Sequence, residues 1–290
     1  MPGEEPAVWL TARGPVRLDR PVIIGILNVT PDSFSDGGRF TSPDAALHEA
    51  DRLLEAGASA LDIGGESTRP GRVEVVPADL ERQRVVPVIE AIAARHPALV
   101  LSVDTVKSEV AAAALEAGAA VVNDVGAFRL DPAMANTAAR ARAGAILMHS
   151  RGALLEIASY EHADYGGDVA GVVLSELRAA VASAIAAGVA PEAIVVDPGF
   201  GFSKTVDQNL ALLDQLEVLA ALGRPVLVGP SRKRFLGVVT GQPVTARDRA
   251  TAAACALAYE RGARLFRVHA VAAAREALAV AHAMASHGVA

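Results

Sequence analysis

The sequence has a single cysteine among its 290 residues, so the chain cannot form an internal disulfide. Such cysteine usage is typical of proteins that work in a reducing, intracellular compartment. The residue, Cys255, lies in the apolar run AAACALAY, and no polar neighbour in that run would favour its thiolate. We therefore expect Cys255 to be a core residue and not a nucleophile.

Long uncharged apolar stretches and an excess of basic charge are both absent. No such stretch reaches the ~18 residues that a membrane-spanning helix needs. The first twenty residues, MPGEEPAVWLTARGPVRLDR, carry charges where a signal peptide would be apolar. The 27 basic residues are outnumbered by 33 acidic ones, which disfavours a nucleic-acid or anionic-membrane partner. We expect a soluble, cytoplasmic protein that binds neither nucleic acid nor membrane.

What the sequence does contain is a repeated pattern of short runs rich in Val, Ile and Leu. These runs are apolar on both faces, which is typical of parallel strands covered by helices. They lie at 22–27, 59–64, 99–104, 120–124, 145–149, 193–197, 225–229 and 264–268. Alanine-rich stretches between them predict helices, and several of these end in a glycine, at Gly57, Gly118 and Gly188, as helix C-caps do.

Eight predicted strands that alternate with helices favour a single (β/α)8 TIM barrel, an α/β fold, over residues 21–290, with residues 1–20 as an N-terminal extension. No Pro-, Gly- or Ser-rich linker divides the chain into two domains. An open, doubly wound sheet is the alternative. It is disfavoured because the GxGxxG turn typical of such sheets does not follow the first strand.

Polar side chains stand at the carboxyl end of nearly every predicted strand, and in a barrel these ends meet at one rim, where active sites are built. Asp104, Asn123 and Asp197 offer hydrogen-bonding groups that suit a planar heterocycle with amino and ring N–H donors. Lys233 and Arg267 offer positive charge late in the chain, where such barrels commonly bind phosphate. The pattern predicts a ligand with a heterocycle at one end and phosphates nearby.

Two polar, glycine-containing segments are expected to form loops over this rim, NVTPDSFSDGGRF (28–40) and GGESTRPGR (64–72). The sequence has no Cys or His cluster with the spacing of metal ligands, so a structural zinc site is not expected. Any metal is expected to be Mg²⁺ that arrives with phosphate groups and uses few protein ligands.

Seven motifs, in their order and spacing, closely resemble those of the dihydropteroate synthase family. They are NVTPDSFSDGG, DIGGESTRPG, SVDT, ND, DPGFGFSK, SRKRFLG and RVH, and the resemblance runs from about Gly25 to the end of the chain. It implies a TIM-barrel enzyme of folate biosynthesis, usually a homodimer and a target of sulfonamides. Such enzymes join p-aminobenzoate to 6-hydroxymethyl-7,8-dihydropterin diphosphate, and they release pyrophosphate and 7,8-dihydropteroate.

The resemblance also implies a role for individual residues. The pterin pocket would comprise Asp104, Asn123, Met148, Asp197, Phe202, Gly229 and Lys233. The diphosphate would be bound by Asn28, Arg69, Arg267 and His269, with Asn28 as the Mg²⁺ ligand. The p-aminobenzoate site would comprise Phe34, Thr68, Pro70 and Ser231. Catalysis would depend on Asp104, Asp197, Lys233 and Arg267, in an SN1-type step without a protein nucleophile.

The chain departs from the family pattern in the segment 150–169, at Ser203 where glycine is common, at Ala270 where an acidic residue is usual, and at Gly126 and Ala127. Two alternatives remain open, a non-catalytic homologue and a pterin-binding methyltransferase-like barrel; the SRK and RVH motifs favour the synthase.

Three minor expectations concern residues near these motifs. Asp62 and Glu66 are expected to hold the loops, Arg232 to be structural, and Lys204 to be a solvated or capping lysine.

Overall fold

A computed structural model describes residues 7–30, 43–66 and 74–287. Eight parallel strands close into a barrel in which each strand pairs with the next along the chain and the last pairs with the first. The barrel strands are β3 (Val22–Asn28), β4 (Ala60–Gly64), β5 (Val100–Asp104), β6 (Val121–Asp124), β7 (Gly144–Met148), β8 (Ile194–Asp197), β9 (Val226–Val228) and β10 (Ala263–Val268). The predicted TIM barrel is confirmed.

Helices alternate with these strands and form the outer layer. They are α1 (Pro43–Glu55), α2 (Ala78–Arg95), α3 (Ser108–Glu116), α4 (Met134–Arg140), α5 (Val169–Ala186), α6 (Val206–Asp214), α7 (Arg234–Thr240), α8 (Asp248–Glu260) and α9 (Val271–His287). Gly57, Gly118 and Gly188 have φ angles of 107°, 115° and 97°, the left-handed backbone that ends a helix at glycine. Cys255 is buried in the core between strands and helices, as predicted.

The N-terminal residues form a hairpin against the barrel. Strands β1 (Val8–Thr11) and β2 (Gly14–Arg17) pair antiparallel. The indole of Trp9 is 1% exposed, packs with inward-facing strand residues such as Ile24 and Leu265, and donates a hydrogen bond to the Ala193 carbonyl at 2.7 Å. The side chain of Trp9, which lies in the predicted extension, therefore belongs to the hydrophobic core.

Helix α5 is long and apolar enough to cross a membrane by length and composition alone. In the barrel, one face of this helix is buried against β7 and the neighbouring elements through residues that include Val173, Leu177 and Ala184. Its Glu176 forms an ion pair with Arg151 and lies within hydrogen-bond distance of His149 Nε2. The helix is thus accounted for as part of the barrel's outer layer.

Candidate active site

The carboxyl ends of the barrel strands surround a cavity of about 570 Å³. Eight of the predicted site residues line it, namely Asn28, Asp104, Phe202, Gly229, Ser231, Lys233, Arg267 and His269. Three others, Asn123, Met148 and Asp197, are each only 4% exposed and lie in the last two residues of strands β6, β7 and β8, at the same rim. Phe34, Thr68, Arg69 and Pro70 lie outside the described residues. The fold thus brings the described candidates from distant parts of the sequence to one place.

A buried ion-pair network crosses the floor of this cavity. The guanidinium of Arg267 donates through Nε to Asp62 Oδ2 at 2.5 Å and through Nη2 to Asp104 Oδ2 at 2.7 Å. Asn123 Nδ2 donates to the same Asp62 oxygen at 3.0 Å. Burial opposes the charge of Arg267, but the two carboxylates raise the pKa of its guanidinium. Asp62, expected to hold a loop, instead orients two predicted substrate-binding residues.

The two candidate carboxyl groups of the pterin pocket have environments that favour proton uptake near neutral pH. Burial raises the pKa of Asp104 to about 7 against the opposing effect of Arg267. Burial also raises the pKa of Asp197 to about 6, although the Gly199 amide and nearby Lys233 act in the other direction. Perturbed acids of this kind, gathered in a cleft, mark a candidate functional site.

Lys233 is held against an aromatic wall of the cavity. Its Nζ lies 3.6 Å from the centroid of the Phe202 ring, which is a cation–π contact. Burial, with a further effect of Arg267, lowers the pKa of Lys233 to about 7. Gly201, with φ of 78°, makes this approach possible because a Cβ there would lie 2.7 Å from Lys233 Cδ.

Ser231 and His269 contact each other directly. The Ser231 hydroxyl lies 2.9 Å from His269 Nδ1, and the His269 amide donates to the Ser231 Oγ at 3.1 Å. The sequence predicts Ser231 for one substrate and His269 for the diphosphate of the other. Their contact means that the predicted p-aminobenzoate site and the predicted diphosphate site are adjacent.

Asn28 ends strand β3 beside a gap that faces two oxygen atoms. A Cβ on Gly64 would lie 3.7 Å from both Asn28 Oδ1 and Asp104 Oδ2, so glycine leaves this space open. Amide and carboxylate oxygens are the ligand types that Mg²⁺ prefers, and Mg²⁺ commonly uses only one or two protein ligands. The donor set at Asn28 therefore fits Mg²⁺ that is carried by a diphosphate.

Comparison with known proteins agrees with this geometry. The family model described as pterin binding enzyme matches residues 24–269. The dihydropteroate synthase of Mycobacterium leprae is 46% identical over 264 residues, which are 89% of this chain and 91% of the relative. The chain belongs to the dihydropteroate synthase family. It is therefore a transferase of folate synthesis.

Solved structures of dihydropteroate synthases share the whole fold. The Xanthomonas albilineans enzyme with 4-aminobenzoic acid is 45% identical, with a TM-score of 0.89 over 97% of this chain and 99% of the other. A second structure of that enzyme, in complex with 7,8-dihydropteroate, is 44% identical, with a TM-score of 0.83 over 93% and 96% of the two chains. The methyltransferase-like alternative is not favoured by these relatives.

The prediction for Lys204 is wrong. Its side chain is 1% exposed, and its ammonium donates to His149 Nδ1, the Phe202 carbonyl and the Gly199 carbonyl at 2.9, 3.1 and 3.2 Å. The lysine points back under the loop that follows β8 and does not reach solvent. Its neighbours in sequence, GFGFS, contain no other charge and two phenylalanines, which could have signalled a buried position.

Two departures from the usual dihydropteroate synthase sequence prove to be in contact. Ser203 has φ of 48°, a backbone conformation that glycine adopts more easily. It is held there because its Oγ accepts from the Arg151 amide at 3.1 Å and its own amide donates to the Ile157 carbonyl at 2.8 Å. The hydroxyl of Tyr165 donates to the Ser203 carbonyl at 3.0 Å. The divergent 150–169 segment thus supports the divergent Ser203.

Other expectations for the rim are confirmed. Arg232 pairs with Asp248 at 2.7 Å and is structural. Glu66 accepts from the Val76 amide at 2.8 Å and from the Lys107 ammonium at 2.5 Å, and it thereby holds the end of its loop. Lys107 was missed at the sequence level because its partners Glu66 and Glu81 come from other parts of the chain.

Proposed function

We propose that this protein condenses p-aminobenzoate with 6-hydroxymethyl-7,8-dihydropterin diphosphate to give 7,8-dihydropteroate and pyrophosphate. One observation carries the proposal: hydrogen-bond acceptors at the carboxyl ends of β5, β6 and β8 stand at the same rim as the cations Lys233 and Arg267, which line the cavity. The acceptors and Lys233 suit the pterin, and Arg267 suits the diphosphate. Relatives whose solved structures contain 4-aminobenzoic acid and 7,8-dihydropteroate support both ends of the reaction.

In this proposal the pterin ring enters the lower part of the cavity. Asp104, Asn123 and Asp197 bond its amino and ring N–H groups, and Lys233 donates to its acceptor atoms. Met148 and Phe202 pack on its faces, which is supported by their shared apolar cluster. Gly229 lines the pocket by its backbone, close to the Asp197 carboxyl: a Cβ there would lie 3.8 Å from Asp197 Oδ2.

The diphosphate lies at the upper side, bound by Asn28, Arg69, Arg267 and His269. Asn28 would hold Mg²⁺, and the ion would supply charge neutralisation for the leaving pyrophosphate. Arg267 is already oriented by Asp62 and Asp104, so its remaining N–H groups bind phosphate oxygens without a large loss of side-chain entropy.

The chemical step breaks the bond between the pterin methylene and the diphosphate oxygen, and the electron pair leaves with pyrophosphate. Asp104 and Asp197 stabilise the positive charge that develops on the methylene and ring. The amine of p-aminobenzoate, whose proposed binding residues are Phe34, Thr68, Pro70 and Ser231, then forms the C–N bond and releases its proton to solvent.

We also propose a cytoplasmic homodimer. The proposal is supported by five apolar side chains, between 50% and 64% exposed, on the outer helices α7, α8 and α9, of which α8 contacts both others. They are Val238, Val239, Leu257, Val280 and Met284. A second copy of the chain would cover this surface.

The test is pyrophosphate release by the purified protein with pterin diphosphate, Mg²⁺ and p-aminobenzoate, each omitted in turn. Release that requires all three, with dihydropteroate formed, is the expected result. Tight binding of the pterin without any turnover would instead support the non-catalytic homologue.

A further inference from the structure

Lys204 is a buried cation whose hydrogen-bonding capacity is fully used. An ammonium group has three N–H donors, and the three acceptors around Lys204 are His149 Nδ1 and the carbonyls of Gly199 and Phe202. A charge at 1% exposure is expensive to bury unless it is paired and hydrogen-bonded. The burial of the Lys204 ammonium group therefore indicates a role other than filling space in the core.

The two carbonyls belong to the loop that shapes the pterin pocket. The Gly199 amide donates to Asp197 Oδ1 at 2.7 Å, so one peptide group of the loop bonds the carboxylate while its neighbour bonds Lys204. The Phe202 carbonyl accepts a hydrogen bond from Lys204, while the Phe202 ring makes the cation–π contact with Lys233. Lys204 thus holds the backbone that positions both the Asp197 carboxyl and the Phe202 ring of the pocket.

The third acceptor, His149, connects Lys204 to Glu176 on the outer helix α5. His149 Nε2 lies 2.8 Å from Glu176 Oε2, and Glu176 in turn accepts from Arg151 at 2.5 Å. Burial, reinforced by Lys204, lowers the pKa of His149 to about 4, so the imidazole is neutral. A neutral ring can accept at Nδ1 and donate at Nε2, which matches both contacts.

We propose that Lys204 is a positioning residue for the pterin substrate, which fixes the loop from Asp197 to Phe202 and places its ammonium group behind the Asp197 carboxyl. This inference rests on the proposed function, because it assumes that Asp197 accepts hydrogen bonds from the pterin. A purely structural lysine would support the loop but would leave the pH dependence of pterin binding unchanged.

Other charges also face these two groups. Asp197 is near the cations Lys233, Lys204 and Arg267, which together oppose the effect of its burial. Burial lowers the pKa of Lys204 to about 7, and Arg151 and Lys233 act in the same direction, whereas nearby Asp197 and Glu176 favour its charge. Lys204 is therefore mostly charged near pH 6, where Asp197 takes up its proton. The neutral His149 and the ring of Tyr165, 5.9 Å from Lys204 Nζ, complete the surroundings. Because Lys233 and Arg267 remain, loss of Lys204 should shift the titration of Asp197 rather than abolish its charge.

The experiment measures binding of 6-hydroxymethyl-7,8-dihydropterin, without diphosphate, by calorimetry between pH 5 and 8. In the unaltered protein, affinity should fall as the pH drops through about 6, where Asp197 takes up a proton. In Lys204→Met the midpoint of this fall should move upward by about half a pH unit to one unit, because an opposite charge has been removed. Lys204→Gln, which keeps N–H donors without the charge, should show the same upward shift.

Tyr165→Phe is the matched control. It removes the hydrogen bond from the Tyr165 hydroxyl to the Ser203 carbonyl in the same loop and changes no charge at these pH values. Its midpoint should stay at that of the unaltered protein even if its affinity is lower. An equal shift in Tyr165→Phe, or no shift in folded Lys204→Met and Lys204→Gln, would overturn the inference. Failure of the unaltered protein to bind the pterin would overturn the proposed function itself, and the inference with it.

Discussion

Replacement of Lys233 by methionine tests the pterin pocket most directly. The substitution keeps the length and apolar contacts of the side chain but removes the charge that lies 3.6 Å from the centre of the Phe202 ring. Because Lys233 is already largely desolvated and positioned in the free protein, little of its interaction with a ligand is lost to ordering. A hydrogen bond from a charged donor contributes about 1.5–3 kcal/mol, which corresponds to roughly ten- to 150-fold in affinity.

The assay is calorimetry with the dihydropterin at pH 6.5, where most of Lys233 is protonated. Arg178→Met serves as the matched control, because Arg178 is an exposed cation on α5 outside the lining of the cavity. It should change affinity less than about threefold, as surface substitutions usually do. Equal affinities of the Lys233→Met variant and the unaltered protein would refute the assignment of Lys233 to the pterin pocket.

The same variant has a pH signature. Burial lowers the pKa of Lys233 to about 7, so its charge is present below that pH and is lost as the pH rises through it. The advantage of the unaltered protein over Lys233→Met should therefore shrink between pH 6.5 and 8.5. An advantage that stays constant over this range would contradict a charged Lys233 as the source of the affinity.

Three further predictions follow from other parts of the fold. Trp9→Ala should lower the free energy of unfolding by about 3–5 kcal/mol in urea titrations, because it removes a fully buried indole and its hydrogen bond to the Ala193 carbonyl. The KM values of the enzyme should not change if the hairpin is only structural. Gly201→Ala should weaken pterin binding in calorimetry, because its Cβ would displace Lys233, and normal affinity would show that Lys233 can move without loss. Val280→Asp should convert a dimer to a monomer in sedimentation velocity, and an unchanged sedimentation coefficient would place the dimer interface elsewhere.

Much of the fold could be predicted because it depends on local patterns. Each predicted barrel strand agrees with the structure to within one residue at either end. Strands buried on both faces and glycine at the ends of helices are properties of a few consecutive residues. Once strands alternate with helices, the closure of the barrel brings the strand ends together, so the rim site was predictable as a set of positions.

The charge network within that rim was not predictable in the same way. Arg267 meets Asp62 and Asp104 from 205 and 163 residues away in the sequence, and each of these side chains had several other partners available. The sequence also indicated that residues 1–20 are an extension, but it did not reveal that Trp9 and Leu18 of this segment are buried in a cluster with residues of the barrel strands. Local polarity cannot reveal which apolar surface a terminal segment covers.

The sequence by itself determined the order of elements, the class of fold and the kinds of side chain at the rim. Only the tertiary structure decided which of these groups are buried and with what partners. Lys204 is the clearest case: its environment is made by His149 at the end of β7 and by its own loop after β8, and the 150–169 segment supports that loop. Burial and charge pairing are properties of three-dimensional surroundings, so they appear only when distant segments have packed together.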